Sequence, residues 1–332
     1  MLKISNSKAK TWRRCQNSYY YKYILNLEPK KKSAALVKGS MIHDMDDAWL
    51  NGKDWKKVLD SYQTEYDKLF REEQEEYGDI INDMRTIMEN YISFCQDDGL
   101  EPVKINGRFS EHEADIELIP NKVIFTFKVD KIIKDGKGRV WLGEKKSFSR
   151  GIPKEEIRVS DLQTTLYYWA VQHLEWCNPQ GVMWEYVSSK PPSIPKLLKG
   201  DMSLSKAMNI RSTYETYLAE IKKHGFSPKD YQGILDDLKA RPNQFFRRIY
   251  KKAPDKLVEP LLRDLKNTAY EILEMGEILR TRNLTRDCNW CGYYSLCQAE
   301  LWGLDAEFIL QREYKERSDR QDAEKEVESS TD

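Results

Sequence analysis

The chain has 332 residues, and its 54 basic side chains balance its 54 acidic ones. This balance excludes bulk electrostatic attraction to nucleic acid, so any such binding must depend on local patches. No apolar run approaches the length of a membrane span, and the absence of a G-x-x-x-x-G-K phosphate loop argues against an ATP-driven motor. We expect a soluble, cytoplasmic protein whose six cysteines are ligands or core thiols rather than disulfides.

The N-terminal part is predicted to be helical. Residues 4–27 begin with small polar side chains that can cap a helix and continue as an aromatic, basic helix containing Cys15. A second helix, Leu36–Leu50, carries His43. A lone thiol or a lone helix histidine is more often structural than a ligand, although a neutral imidazole can bind a divalent cation. The charged stretch at about 52–100 repeats apolar residues at intervals of three and four and is interpreted as a helical insertion.

A β-hairpin is predicted around the turn Asp135–Gly138, whose glycines suit a tight connection. Glu144 and Lys146 share one face of the returning strand. Counting outward from the turn places Asp130 opposite Gly143 or, with one bulged residue, opposite Glu144. Two carboxylates from neighbouring strands could then bind one divalent cation beside a lysine, as in phosphoryl-transfer sites. The alternative is an ordinary charged and solvated hairpin face.

The helix after the hairpin is predicted to start at the cap Ser160–Asp161 and to pack an apolar stripe on the sheet. Gln163 and Tyr167 are four residues apart, so they project from the same side of this helix. A strand is predicted next, at Gln180–Ser188.

The C-terminal third is interpreted as a helical subdomain over residues 201–284. Its most nucleic-acid-like patch is Phe245–Arg248, although an amphipathic packing helix explains those residues equally well. Residues 313–332 are charged and lack aromatic side chains after Tyr314, so we predict a disordered tail there.

Three cysteines in a short stretch indicate a metal or cluster site. They form a C-x₂-C-x₅-C run made by Cys288, Cys291 and Cys297. A fourth ligand is needed, and Cys15 is the attractive candidate because the terminal helices could meet. Zinc would prefer a second close pair of cysteines or histidines. The remaining thiols, Cys95 and Cys177, are interpreted as structural.

The order of these residues resembles the RecB-like branch of the PD-(D/E)XK nuclease superfamily. That pattern has a helix histidine, a strand aspartate, an acidic-x-lysine strand and a Q-x-x-x-Y helix, here His43, Asp130, Glu144-Lys145-Lys146, Gln163 and Tyr167. The cysteine arrangement resembles the subset with a 4Fe–4S cluster, which includes the CRISPR-adaptation nucleases and the AddB-type helicase–nuclease subunit. The chain departs from the pattern at Phe127, where glycine is common, and at Gln16, where proline is common.

The resemblance implies an α/β fold with a PD-(D/E)XK, restriction-endonuclease-like core, in which helices flank a mixed central sheet. The core would occupy residues 1–200, including the helical insertion. A cysteine-rich region at 285–312 would pack on the N-terminal helix. A 4Fe–4S cluster would be held there by Cys15, Cys288, Cys291 and Cys297.

The resemblance also implies a metal centre. Mg²⁺ or Mn²⁺ would be bound by His43, Asp130, Glu144 and the backbone carbonyl of Lys145. Lys146 would orient or activate the attacking water and stabilise charge on the phosphate. The nucleic-acid backbone, or the lysine itself, would be positioned by Gln163 and Tyr167.

The function implied is a metal-dependent DNA exonuclease acting on single strands or duplex ends. It would serve recombination, repair or phage DNA processing, and we expect a recombination or repair protein as a partner. The preference for exonuclease over endonuclease comes from the resemblance alone. Three alternatives stay open: a catalytically silent nucleic-acid-binding or assembly subunit, a CRISPR-adaptation-type nuclease, and a structural Zn²⁺ protein whose hairpin acids are ordinary surface charges.

Overall fold

The structure is a computed structural model that describes residues 1–96, 98–149, 162–200 and 202–317. Its helices are α1 (Asn6–Arg14), α2 (Gln16–Tyr19), α3 (Ala34–Leu50), α4 (Trp55–Tyr66), α5 (Arg71–Tyr77), α6 (Ile80–Cys95), α7 (Leu162–His173), α8 (Tyr214–Lys223), α9 (Gln232–Ala240), α10 (Asp255–Met275), α11 (Tyr294–Trp302) and α12 (Ala306–Glu313). Its strands are β1 (Leu2–Ile4), β2 (Leu27–Pro29), β3 (Glu101–Pro102), β4 (His112–Ile119), β5 (Val123–Val129), β6 (Lys131–Lys134), β7 (Val140–Phe148), β8 (Gly181–Ser188), β9 (Phe246–Lys252) and β10 (Tyr314–Glu316). None of the described helices is long and apolar enough to cross a membrane.

Two β-sheets share one continuous stretch of chain. One has three strands in the order β1, β5, β4, with β1 parallel to β5 and β4 antiparallel to it. The other has the order β3, β6, β7, β8, β9, in which only β7 and β8 are parallel neighbours. Because only Asp130 separates β5 from β6, that residue lies where the chain passes from one sheet to the other. The predicted mixed α/β architecture is therefore confirmed.

Local interactions at the predicted hairpin turn explain why it could be located from the sequence. β6 and β7 are antiparallel, and the segment between them contains Asp135 and Gly138. The Asp135 carboxylate accepts hydrogen bonds from the backbone N–H groups of Lys137 and Arg139. Gly138 has a φ of +76°, a left-handed conformation that glycine adopts without steric cost.

Helices cover both faces of the five-stranded sheet. On one face α7 packs on β7 and β8, and α10 packs on α7. The core on that face includes Leu142, Leu166, Trp184 and Leu265. On the other face α3, α4 and α6 pack together, with a core that includes Met41, Met84, Val187 and Phe246. The predicted helical insertion, which contains α4, α5 and α6, therefore contributes one of the layers that cover the sheet.

The prediction of a helical subdomain over residues 201–284 is wrong at Phe246–Lys252, which forms strand β9 and pairs antiparallel with β8. Phe245 and Phe246 are only 2% exposed, so they pack in the core instead of forming a surface for nucleic-acid bases. The Asn243 side chain accepts hydrogen bonds from the N–H groups of both phenylalanines. Pairing with the free edge of β8 overrides the local helical pattern, which is a common outcome because strand formation depends on neighbours.

The two ends of the described chain meet in a small sheet. Tyr314–Glu316, at the start of the predicted tail, forms β10 and pairs antiparallel with β2. The prediction of a disordered tail is therefore wrong at residues 313–317, since Glu313 ends α12 and Arg317 is buried. Residues 318–332 of that prediction lie outside the described residues, as does the predicted helix cap at Ser160–Asp161.

Gly181, at the start of β8, provides a test of the β8–β9 pairing. A Cβ atom added to Gly181 would lie 1.9 Å from the carbonyl oxygen of Lys251. We expect Gly181→Ala to force the strands apart and to lower the free energy of unfolding by roughly 2–3 kcal/mol in urea titrations. The control is Gly233→Ala in α9, where a Cβ atom meets open space and should be neutral or stabilising by up to about 1 kcal/mol. Equal stabilities of the two variants would contradict the pairing.

Candidate metal centre and cysteine pocket

Asp130 and Glu144 face each other at the end of the hairpin. The last pair of the β6–β7 ladder is Lys131–Gly143, so one further step places Asp130 across from Glu144. This is the register that was predicted with one bulged residue: the connection is one residue longer than a two-residue turn, and Gly138 takes the extra position in a left-handed conformation. The backbone N–H of Lys145 donates to Asp130 Oδ2 at 2.6 Å. Because the N–H and C=O groups of one strand residue point to the same side, the Lys145 carbonyl is on the same side of β7 as the Asp130 carboxylate.

Glu111, which the sequence reasoning missed, lies on the other side of Asp130. The last pair of the β4–β5 ladder is His112–Val129, and the next step outward joins Glu111 to Asp130. The Glu111 N–H donates to the Asp130 carbonyl at 2.8 Å, and Glu111 has a φ of +52°, uncommon for glutamate. β4 and β5 form a second hairpin, and counting outward from its turn at Pro120–Asn121 pairs Glu111 with Asp130. The register of this hairpin could therefore have identified Glu111 from the sequence.

His43 on α3 completes a group of three side chains that could hold a metal ion. Its Nδ1 atom lies 3.7 Å from Glu111 Oε1 and 3.7 Å from Asp130 Oδ1. Burial lowers the pKa of His43, but the two carboxylates outweigh this effect and raise the pKa above its usual value. Burial acts to raise the pKa of Glu111, whereas His43 and the Lys128 ammonium, 2.6 Å away, bring it below its usual value.

Glu144 is more deeply buried than these ligands, with 2% of its surface exposed. Its Oε1 atom accepts a hydrogen bond from Gln163 Nε2 at 2.9 Å and forms an ion pair with Lys146. Its Oε2 atom is buried and has no hydrogen-bond partner among the described residues. Burial and repulsion by Asp130 raise the pKa of Glu144 to about 8. A carboxylate in this state is stabilised when a proton or a cation binds to it.

The structure brings Lys146, Gln163 and Tyr167 to the same site. Lys146 Nζ contacts Glu144 and lies 3.4 Å from Gln163 Oε1, so Gln163 touches both members of the ion pair. Tyr167 lies one turn further along α7 and is 8% exposed. Burial, followed by the charges of Glu144 and Asp130, raises the pKa of Tyr167 above its usual value, so its hydroxyl stays protonated at neutral pH.

The donor set fits a hard divalent cation such as Mg²⁺ or Mn²⁺. Donor atoms about 2.1 Å from Mg²⁺ in an octahedron lie about 3 Å apart. One ligand atom each from His43, Glu111 and Asp130 lies within 4.8 Å of the others, so small side-chain shifts would bring them to this spacing. Glu144 does not belong to this close group, but its buried Oε2 atom is unpartnered and could supply a further oxygen. Burial, followed by repulsion from Asp130, raises the pKa of Glu144, and Lys146 does not offset these effects.

The four cysteines predicted to share a cluster line one pocket, which holds about 350 Å³ of space when open solvent at its mouth is included. These residues are Cys15, Cys288, Cys291 and Cys297. Cys15 was predicted to lie inside a helix. It is instead an extended residue between α1 and α2. The predicted meeting of the terminal regions is confirmed, since the Asn17 N–H donates to the Thr281 carbonyl at 3.2 Å.

Polar groups of this pocket are directed at sulfur. Asn17 is 1% exposed, and its Nδ2 atom donates to Cys297 Sγ at 3.6 Å. Burial lowers the pKa of Arg282, but contact with Cys297 outweighs that effect and raises it. The Arg282 Nε atom and the Tyr21 hydroxyl are buried without a hydrogen-bond partner among the described residues. Donors of this kind fit an anionic group in which the cysteines are thiolates.

The fold and the site define the class of metal-dependent nucleases: a mixed sheet presents two carboxylates and a lysine to a helix histidine. Residues 3–298 match the PD-(D/E)XK nuclease superfamily, and the chain belongs to that superfamily. The matched region contains the whole metal centre and the cysteine run. No curated protein sequence matches the chain. Membership supports a nuclease that acts on DNA with a divalent metal ion as cofactor.

The raised pKa of Glu144 predicts an unusual dependence of stability on pH. Its folded pKa, about 8, exceeds the ordinary value of 4.5, so the metal-free folded state retains a proton that the unfolded state has lost. Its contribution to stability is therefore complete below about pH 4.5 and is lost as the pH rises through 8. We expect Glu144→Gln to make the metal-free protein more stable at pH 8 by roughly 1–3 kcal/mol.

Urea unfolding with a chelator present, at pH 5 and at pH 8, measures this effect. The matched control is Glu113→Gln on β4, which replaces an exposed carboxylate and should change stability little at either pH. A Glu144→Gln variant that is less stable than the wild type at pH 8 would contradict the assignment of an uncompensated buried carboxylate.

Proposed function

We propose that this protein is a metal-dependent exonuclease that hydrolyses phosphodiester bonds in single-stranded DNA or at duplex ends. The observation that carries the proposal is the meeting of Asp130, Glu144 and Lys146 with His43 at the junction of the two sheets. The preference for DNA ends rests on the order of the motifs, which is that of the RecB-like branch. A role in recombination, repair or phage DNA processing rests on the same resemblance.

The metal ligands in this proposal are His43, Glu111, Asp130, Glu144 and the backbone carbonyl of Lys145. When bound, Mg²⁺ or Mn²⁺ would supply Lewis acidity to the scissile phosphate and to the attacking water. The Glu144 carboxylate must lose its proton before it can act as a ligand, so its pKa of about 8 predicts weaker metal binding at acidic pH. Glu111 extends the ligand set that the sequence predicted by one carboxylate.

The remaining polar residues of the site act on water and phosphate. Lys146 Nζ lies between Glu144 and Gln163, close enough to Glu144 to hydrogen-bond a water molecule held beside that carboxylate. Its positive charge stabilises the extra negative charge that develops on the phosphate oxygens during in-line attack. Gln163 donates to Glu144 and accepts from Lys146, so it fixes the relative positions of the ligand and the cation.

A catalytically silent DNA-binding or assembly subunit is the competing function. The buried, unpartnered oxygen of Glu144 argues against it, because a silent subunit would carry the cost of that oxygen without any use for it. A CRISPR-adaptation-type nuclease would use the same ligands, and its partners would distinguish it.

Removal of the lysine tests the enzyme proposal. Lys146→Ala should lower the rate of digestion of end-labelled single-stranded and duplex DNA by at least about 100-fold in Mg²⁺ or Mn²⁺, because it removes charge stabilisation in the transition state. The matched control is Lys137→Ala in the exposed turn of the same hairpin, which should retain wild-type activity. A wild-type protein that digests none of these substrates would refute the enzyme assignment, and equal activity of both variants would place catalysis elsewhere.

We also propose that the cysteine pocket holds a structural 4Fe–4S cluster with Cys15, Cys288, Cys291 and Cys297 as ligands. Four sulfurs around one zinc ion, each about 2.3 Å from it, would lie about 3.8 Å apart. Among the described residues, the group of ligand atoms found within 4.8 Å of one another is His43, Glu111 and Asp130, and the cysteines are not part of such a group. This wider spacing, together with the donors from Asn17 and Arg282, favours a cluster over zinc.

Cysteine replacement tests the cluster. In protein purified without oxygen, Cys288→Ala should lose most of the bound iron and sulfide, the visible absorbance and several degrees of thermal stability, because the cluster joins the two ends of the chain. Cys177→Ala is the matched control, since Cys177 packs partly buried against the main core and should leave the iron content unchanged. Zinc in place of iron, or full iron content in Cys288→Ala, would refute the cluster.

A further inference from the structure

A network of buried charges lies on the face of β7 opposite to the side chains of Glu144 and Lys146. Lys145, between Glu144 and Lys146, points into it and is 1% exposed. Its Nζ atom lies 2.7 Å from Asp46 Oδ2, 3.3 Å from Glu185 Oε2 and 3.8 Å from the centre of the Tyr91 ring. Lys145 Nζ has no hydrogen-bond partner of good geometry among the described residues, so the contact with Asp46 is an ion pair defined by distance and charge.

Further ion pairs balance the charge of this network. Lys131 contacts both Asp46 and Glu185, and Arg248 contacts Glu185 at 2.8 Å and Asp98 at 2.7 Å. Its cations are Lys131, Lys145 and Arg248, and its anions are Asp46, Asp98 and Glu185. Burial acts to raise the pKa of Glu185, but the three cations bring it well below its usual value. The three cations thus match the three anions in number, while the Oδ1 atom of Asp46 is buried without a hydrogen-bond partner among the described residues.

The Lys145–Asp46 pair joins the two elements that build the metal centre. Asp46 lies on α3, three residues after His43, and is 5% exposed. Lys145 lies on β7 between two residues of the site. Asp46 is thus one helical turn away from the His43 imidazole, and Lys145 is the neighbour of Glu144 on the strand.

Stability alone does not explain a buried ion pair. Removing two charges from water costs about as much free energy as their attraction returns, so an apolar pair of similar volume is often as stable. An ion pair differs from an apolar pair because its energy depends steeply on distance and direction, and it can therefore define one position of α3 on β7. Asp46 and Lys145 are placed where such a definition matters, because His43 must approach Asp130 to within a few ångströms.

We propose that Asp46 and Lys145 are positioning residues whose ion pair sets the distance between the His43 imidazole and the carboxylates of Asp130 and Glu111, and thereby the affinity of the centre for its divalent cation. The inference rests on the proposed metal centre. It assigns a function to the middle residue of the acidic-x-lysine strand that is separate from its backbone carbonyl.

Binding of Mn²⁺ to the full-length protein tests the proposal, with affinity measured by titration calorimetry and stability by urea unfolding. Asp46→Asn removes one charge with little change in volume, and Asp46→Asn with Lys145→Met removes both. We expect Mn²⁺ to bind about 10–100-fold more weakly to both variants, the usual effect of changing residues that orient metal ligands. The double variant should recover most of the stability that the single variant loses, because it no longer buries an unpaired charge.

The matched control is Lys38→Met on the same helix. Lys38 pairs with Asp83 at 2.7 Å, so this variant removes an ion pair of α3 without touching the network under the site. Its Mn²⁺ affinity should stay within about 2-fold of the wild type, less than the 10–100-fold expected for a residue that orients ligands. Equal weakening in Lys38→Met would mean that any loosening of α3 suffices, and would overturn the assignment to Asp46 and Lys145.

Other outcomes separate this inference from the proposed function. Wild-type affinity in the double variant, or a double variant that fails to unfold cooperatively, would overturn the positioning role, since the pair would then be dispensable or required for folding itself. No Mn²⁺ binding to the wild type, or binding that Asp130→Asn leaves unchanged, would overturn the metal centre and the inference together.

Discussion

The alternation of side chains along β7 is the constraint on which the site depends. Glu144 and Lys146 point to one face of the sheet and Lys145 to the other, and helices cover both faces. A strand covered on both faces usually has an apolar sequence. Three consecutive charged residues are tolerated here because each has partners on its own face: Gln163 of α7 on one side, and Asp46 and Glu185 on the other.

The two faces compensate charge differently, and that difference separates structural from functional charge. Glu185 and Glu144 are both almost fully buried, yet cations lower the pKa of Glu185 far below its usual value while the pKa of Glu144 rises to about 8. Three cations surround Glu185, whereas Glu144 shares Lys146 and faces Asp130. A buried carboxylate that stays under-compensated reduces stability and is expected where it has a use, which in the proposed metal centre is to hold a cation.

Local chemistry decided which parts of the structure could be predicted. The Asp135–Gly138 turn contains its own hydrogen-bond acceptor and a left-handed glycine, so the hairpin followed from a few adjacent residues, and two registers, opposite Gly143 or opposite Glu144, were left for Asp130. Helices α4 and α6 could also be predicted from local sequence, because their apolar residues recur at helical spacing.

The remaining features depend on contacts distant in sequence. β9 is a strand because β8 offers an unpaired edge, and no property of Phe246–Lys252 alone reports that edge. The side chain of Lys145 belongs to a network assembled from α3, α6, β6, β8 and β9, so its partners were beyond sequence reasoning. Glu111 was predictable only in part. Its pairing with Asp130 could be found by counting outward from the β4–β5 turn, but its left-handed backbone conformation is set by the junction of the sheets.

The cysteine pocket lies at one end of the helical layer that supports the metal centre. α1, which ends next to Cys15, packs on α10, and Arg13 donates to the hydroxyl of Thr268 at 2.7 Å. α10 in turn packs on α7, the helix that carries Gln163.

The separate core around the pocket is small, and its buried members among the described residues are Tyr21, Leu27, Tyr293, Leu296 and Tyr314. Apolar burial on this scale gives little stability by itself. Ligands drawn from both ends of the chain would add a crosslink across most of its length, where closing a loop restricts the unfolded state most. The position of the pocket thus explains why a cofactor remote from the metal centre would still support the helices that shape it.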